Sequence, residues 1–190
     1  AEGFLERLRE LKDELYPGGR FQLQFSLHAT DEEARRRIVP VRTWPMRRIA
    51  DYGRAFRRPG DRKVTLNFAP PPGARLDADA AAALFDPENF LIKVTPVNPT
   101  RTADESGHTH AWQSPPSEVA SFTDRLRGLG YDVVVSPSLP EEIEAATSCG
   151  QLWSEALRGL ARTRGKNLER ERTSYLRPGD LERKTAEWSR

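Results

Sequence analysis

The sequence has a single cysteine, Cys149, among its 190 residues. One thiol excludes an internal disulfide framework, and it excludes any metal or iron–sulfur site that this chain would build from several of its own cysteines. Long apolar runs are also missing, as is a charged segment followed by an apolar one, so neither a membrane span nor a secretion signal is indicated. We therefore expect a cytoplasmic protein with no membrane partner.

The charge is nearly balanced over the whole chain but uneven along it. The formal net charge is +2, with 37% hydrophobic and 31% charged residues. Ten Arg and Lys residues stand against five Asp and Glu residues between Asp31 and Arg62. Such an excess is typical of a solvated helix face, and it is also compatible with a phosphate-rich partner such as RNA.

Apolar residues at helical and at alternating spacing predict helices and strands in turn. Strands separated by single helices imply right-handed crossovers and a parallel sheet, with function at the carboxyl ends of the strands. The spacing of Thr30 and Glu33 predicts a capping box at the start of the second helix. The predicted strands span 21–27, 63–68, 90–97 and 133–135, and the predicted helices span 4–15, 30–38, 43–58, 77–85 and 117–129.

The polar stretch at 101–116 interrupts this alternation and predicts a long loop. It contains His108 and His110, which are separated by one residue and have no third ligand nearby. Two histidines in this arrangement make a poor metal site, so they are interpreted as loop residues and no metal site is expected in this chain.

Three short polar fragments lie at or after the ends of predicted strands, and they are the candidates for a functional site. They are Ser26-Leu27-His28-Ala29, Thr95-Pro96-Val97-Asn98-Pro99 and Ser148-Cys149-Gly150-Gln151-Leu152. Each has an ordinary explanation in isolation, since a lone cysteine is usually a small buried residue and an Asn before proline favours a turn. Their common position at strand ends predicts that they face one site.

The order and spacing of the fragments resemble the radical S-adenosylmethionine (SAM) ribosomal RNA methyltransferases of the RlmN/Cfr type. In that family a strand ends in Ser-Leu-His-Ala, a later strand ends in Asn-Pro, and Cys-Gly-Gln-Leu follows. The segment Arg36-Arg37-Ile38-Val39-Pro40-Val41 is similar to the same family, and the likeness spans Phe21 to Leu152.

The resemblance implies an α/β fold, with a parallel sheet from the second half of a partial (β/α)6 radical SAM barrel. The half barrel would span 1–152, and a C-terminal helix with a flexible charged tail would span 153–190. Residues Ser26, Leu27, His28 and Asn98 would bind SAM, and Cys149 would be the catalytic methyl carrier.

In the family, one SAM methylates the cysteine, and a second SAM is cleaved at a [4Fe-4S] cluster to give a radical that activates the methyl group. The carbon radical then adds to an adenine carbon of RNA, and a second cysteine releases the product. A thiolate suits the carrier role because it is a strong nucleophile and can later leave as a disulfide.

The cluster ligands, three cysteines in the family, are absent from this chain. We therefore expect it to be the C-terminal half of a longer protein, with the N-terminal half as its missing partner, and to be inactive alone. Three departures from the family leave the substrate open: Arg42-Thr43-Trp44, Pro70-Pro71-Pro72-Gly73, and a tail beyond Gln151 that is longer than typical members carry.

Two other functions stay possible. One is a radical SAM enzyme of the same superfamily with a non-RNA substrate or non-methyl chemistry. The other is a non-catalytic RNA-binding module that uses the basic face between Arg35 and Arg58 and the tail, whose binding would depend strongly on salt.

Overall fold

The computed structural model describes residues 2–144, which form a four-stranded parallel sheet with helices in its crossovers. The strand order is β1-β2-β3-β4, so each strand pairs with the next strand along the chain. The elements are α1 (Glu2–Leu15), β1 (Gln24–Ser26), α2 (Glu32–Ile38), α3 (Met46–Phe56), β2 (Val64–Phe68), α4 (Ala78–Leu84), β3 (Phe90–Val94), α5 (Arg101–Glu105), α6 (Ser117–Gly128), β4 (Val133–Val135) and α7 (Pro140–Glu144).

One face of the sheet is apolar and forms the core. Side chains alternate between the two faces of a strand, so Leu66 and Phe68 of β2 share a face with Ile92 and Val94 of β3. All four of these side chains are fully buried. On this face the Phe68 ring meets the ring of Phe122 from α6 edge to face, with centroids 5.4 Å apart.

A close approach of α3 to the sheet depends on a glycine. A Cβ added at Gly53 would lie 2.5 Å from the ring of Phe90, closer than carbon atoms can pack. Phe90 is itself fully buried, and its ring meets that of Phe85 with centroids 5.1 Å apart. Glycine at position 53 therefore allows the helix to pack directly on the strand.

The structure confirms the predicted α/β class and the parallel sheet, and it corrects some details. The second helix is capped by Asp31, whose carboxylate accepts from the backbone N–H of Ala34, so the Thr30 capping box was wrong. Thr30 instead accepts from the backbone N–H of Asp77, which joins the end of β1 to the start of α4. The polar stretch also contains the short helix α5.

The boundary predicted at residue 152 and the tail at 153–190 lie outside the described residues. Within residues 2–144, no helix is both long and apolar enough to cross a membrane.

Candidate functional site

The second face of the sheet is polar and leads to the strand ends. Ser26 of β1 pairs in register with Asn67 of β2, which pairs with Lys93 of β3. Residues in register on parallel strands project to the same side. The apolar core uses the opposite face, so these polar side chains form a strip across three neighbouring strands.

The chain leaves β1 through a sharp turn at His28. Its φ is +67°, a backbone conformation that few residues other than glycine adopt. The Nδ1 atom of His28 accepts from the backbone N–H of Ala69, at 3.1 Å, and the backbone N–H of Leu27 donates to the Asn67 carbonyl oxygen, at 2.8 Å. These bonds hold the end of β1 against the end of β2.

The bond at Nδ1 also determines the tautomer of His28. A ring nitrogen that accepts carries no proton, so the neutral imidazole has its proton on Nε2, where it can donate to a ligand. Burial lowers the pKa of His28, and the positive charge of Arg35 lowers it further. His28 is therefore a neutral hydrogen-bond donor at physiological pH.

This lowered pKa predicts a pH dependence of stability. The unfolded state binds the proton of His28 more tightly than the folded state, so its stabilising contribution is present above the unfolded pKa of about 6.5 and is lost as the pH falls below it. In His28→Asn, which tolerates the positive φ, the free energy of unfolding should fall less between about pH 7.5 and about pH 5.5. Denaturant unfolding at both pH values measures this, and an equal fall in both proteins would contradict it.

Asn67 lies at the centre of the polar strip and is 9% exposed. Its Nδ2 atom donates weakly to the Thr95 hydroxyl, at 3.5 Å, and within the described part of the chain its Oδ1 atom is buried without a hydrogen-bond partner. A buried carbonyl oxygen without a donor is costly, so it indicates a ligand group or water at this position.

Asn98 follows β3, and its side chain is bound by a residue that follows β4. Its Oδ1 atom accepts from the hydroxyl of Ser138, at 2.8 Å, and Ser138 is 3% exposed. The backbone N–H of Ser138 donates in turn to the carbonyl oxygen of Trp112. Asn98 is half-buried, and its amide nitrogen can still donate to a ligand.

The structure thus connects the predicted residues of the described chain through neighbouring strand ends. Ser26 is exposed, Leu27 is fully buried, and His28 and Asn98 are half-buried. We call Ser26, His28, Asn67, Thr95 and Asn98 the strand-end cluster. Cys149 lies outside the described residues.

Sequence reasoning missed Asn67, Thr95 and Ser138. A signal for Asn67 was available, because a polar residue in a five-residue strand that is buried throughout is uncommon. The pairing of Ser138 with Asn98 joins residues 40 positions apart and has no local signal.

His110 has a structural role in the loop after β3. Its backbone pairs with that of Val97, and its Nδ1 atom lies 3.2 Å from the carbonyl oxygen of Pro70. These contacts join the loop to the proline-rich segment after β2. They agree with the interpretation of His110 as a loop residue.

A separate cleft of about 910 Å³ lies between the segment at 70–77 and helix α6. The prolines that depart from the family pattern line it, and Arg125 and Asp79 form an ion pair of 2.7 Å at its wall. It shares His110 with the loop over β3 but contains no member of the strand-end cluster. The cleft is therefore distinct from the predicted site.

Much of the basic segment is engaged within the fold. Arg35 is buried, with its guanidinium donating to the carbonyl oxygen of Trp44, and Arg37 pairs with Glu33. Other arginines pair with carboxylates of other segments, as Arg54 does with Asp86 and Arg58 with Asp13. These contacts favour the interpretation of a helix face over that of a dedicated RNA-binding surface.

The chain is similar in sequence to several bacterial proteins that are named RNA methyltransferases. The chain is 33% identical over 158 residues to a "Probable dual-specificity RNA methyltransferase RlmN" of Parafrankia, and 30% identical over 141 residues to a "Dual-specificity RNA methyltransferase RlmN" of Sorangium cellulosum. It is also 30% identical to a "Probable RNA methyltransferase" of Rhodopseudomonas palustris.

The alignments cover 80%, 71% and 83% of this chain but 38%, 34% and 42% of the respective relatives, so the chain spans well under half of their length. No family model and no solved structure matches the chain.

Proposed function

We propose that this chain, which spans well under half the length of its RlmN relatives, supplies SAM-binding strand ends and the methyl-carrying cysteine of a radical SAM methyltransferase that modifies an adenine carbon of RNA. Its relatives carry the name of an RNA methyltransferase, which supports the proposal. The observation that carries it is the position of Ser26 and His28 at the end of β1 and of Asn98 after β3, two strands that flank β2, at the edge where parallel sheets bind ligands.

The strand-end cluster suits the chemistry of SAM. SAM combines an adenosine, a sulfonium and an amino-acid group, so it needs donors and acceptors without a further positive charge at the sulfonium. His28 is neutral and presents a donor, and Asn98 presents an amide nitrogen.

The [4Fe-4S] cluster of the proposed longer protein would generate the radical from SAM. A chain with one cysteine cannot supply the three thiolates that the family uses, so the ligands would come from another segment. The described residues would then bind and orient SAM. A cytoplasmic location is part of the proposal.

Binding of S-adenosylhomocysteine, the product form of SAM, tests the site directly. In Asn98→Ala the loss of a ligand hydrogen bond of about 1–2 kcal/mol should weaken binding about 5- to 30-fold, measured by isothermal titration calorimetry. Ser121→Ala, on the exposed surface of α6, is the matched control and should bind like the wild type. Equal affinity of Asn98→Ala and the control would count against the SAM site.

A further inference from the structure

The buried amide oxygen of Asn67 is the feature that the proposed function leaves unexplained. It lies on the polar strip between Ser26 and Lys93, and within the described residues nothing donates to it. Native proteins pair nearly all such atoms, so a bound group with an N–H or O–H would remove a real cost. The residue is 9% exposed, so its oxygen gains little from solvent.

The neighbours of Asn67 restrict the chemistry of that donor. Lys93 stands beside it on β3, and a positively charged ammonium group is disfavoured next to another cation. The donor is therefore a neutral group. An adenosine-containing ligand offers the 6-amino group of its base and the hydroxyls of its ribose.

The side-chain amide of Asn67 favours the adenine base of such a ligand over its ribose hydroxyls. Asn presents an acceptor and a donor side by side, and an adenine edge presents the complementary donor and acceptor, so the two form a planar pair. The Nδ2 atom of Asn67 has a contact of 3.5 Å with Thr95, a long hydrogen bond that leaves it able to donate to a ring nitrogen.

We propose that Asn67 recognises adenine at the strand-end cluster, with Oδ1 accepting a hydrogen bond from the 6-amino group. This inference rests on the proposed function, in which adenine occurs both in SAM and in the target nucleotide. The recognition is a specificity role, because Asn67 would select the base without taking part in group transfer.

The test compares two ligands that differ by the 6-amino group alone. These are S-adenosylhomocysteine and its analogue with unsubstituted purine in place of adenine, titrated calorimetrically into the chain. The wild type should bind the purine analogue about tenfold or more weakly, because the analogue leaves Oδ1 without a donor. In Asn67→Leu the two ligands should bind equally.

Two further variants distinguish a loss of adenine recognition from a general disturbance of the fold. Asn67→Asp retains an acceptor and should retain the preference for the amino group. Thr65→Val changes the neighbouring polar residue on the same face of β2 and should also retain it. A preference that survives in Asn67→Leu would overturn the inference, as would its absence from the wild type both in this pair of ligands and in the pair described next.

A second pair of ligands distinguishes the two sources of adenine. Single-stranded oligoribonucleotides that contain adenosine or purine riboside are titrated in the same way. A preference in this pair alone assigns the recognised base to the RNA, and a preference in the first pair alone assigns it to SAM. Binding of S-adenosylhomocysteine without a preference in either pair overturns the inference but leaves the proposed function standing, whereas no binding of any ligand overturns both.

Discussion

Replacing Cys149 with alanine is expected to abolish the formation of methylated RNA by a longer protein that contains this sequence together with a cluster segment. In the proposed reaction the methyl group passes through the sulfur of Cys149, and alanine offers no nucleophile to accept it. The electrophilic methyl of SAM does not attack an electron-poor adenine carbon directly, so no other route should replace the carrier. The loss should therefore be complete, in contrast to the partial loss expected from a binding residue.

The measurement is product formation with labelled SAM, followed by mass analysis of the RNA nucleosides. Ser148→Ala, at the adjacent position, is the matched control and should retain activity. Methylated product from the Cys149→Ala protein would exclude the carrier role. Cleavage of SAM in both proteins without any methyl transfer would favour the alternative of non-methyl radical chemistry.

Replacing Lys12 with methionine is expected to cost about 3–5 kcal/mol of the free energy of unfolding. The Lys12 side chain is 2% exposed and forms an ion pair with Asp61, which is 7% exposed. Its ammonium also lies 2.5 Å from Asp13 and 4.9 Å from the centre of the Phe56 ring. Methionine would fill the space, but the buried carboxylate would lose its cation.

Lys63→Met is the matched control. Lys63 pairs with Asp132 at 2.6 Å, but these side chains are 27% and 63% exposed, so its loss should cost less than about 1 kcal/mol. Denaturant unfolding of the three proteins measures both values. Equal stability of Lys12→Met and Lys63→Met would contradict the structural role of the buried pair.

Acid should reduce the difference in the free energy of unfolding between the wild type and Lys12→Met. Burial raises the pKa of Asp61, but the hydrogen bonds from Lys12 and from backbone N–H groups outweigh it, so the pKa is lowered overall. The contribution of Asp61 is thus present above the pKa of an unfolded aspartate and is lost as the pH falls below it. This acid-dependent loss should be smaller in Lys12→Met.

The sequence was sufficient to predict the sheet because its signals are local. The alternation from Phe21 onwards and the β-branched run of β4 predict strands without any knowledge of the tertiary structure. The single helices between the strands imply parallel pairing. The strand-end positions of His28 and Asn98 follow from the same pattern. Helix bounds differed mainly at α3, which begins after the N-cap Pro45 and not at residue 43, and in the polar loop, where a short helix forms.

The details that the sequence did not predict depend on contacts between residues far apart in the chain. Thr30 has a good capping sequence, but its hydroxyl accepts from Asp77, 47 positions away, and Asp31 takes the cap instead. Lys12 reads as a surface residue of an amphipathic helix, yet it is buried against Asp61, 49 positions away. The oxygen of Asn67, which has no hydrogen-bond partner among residues 2–144, is likewise apparent only in the folded sheet.

Mass spectrometry of the peptide that carries Cys149 tests the central claim most directly. The longer protein, produced with its cluster and with SAM, would be digested and its Cys149 peptide compared with that of protein produced without the cluster-bearing segment. The proposed function predicts one additional methyl group on Cys149 in the first sample. An unmodified Cys149 in protein with an intact cluster and bound SAM would contradict it, and the strand-end cluster would then stand as a SAM site without a methyl carrier.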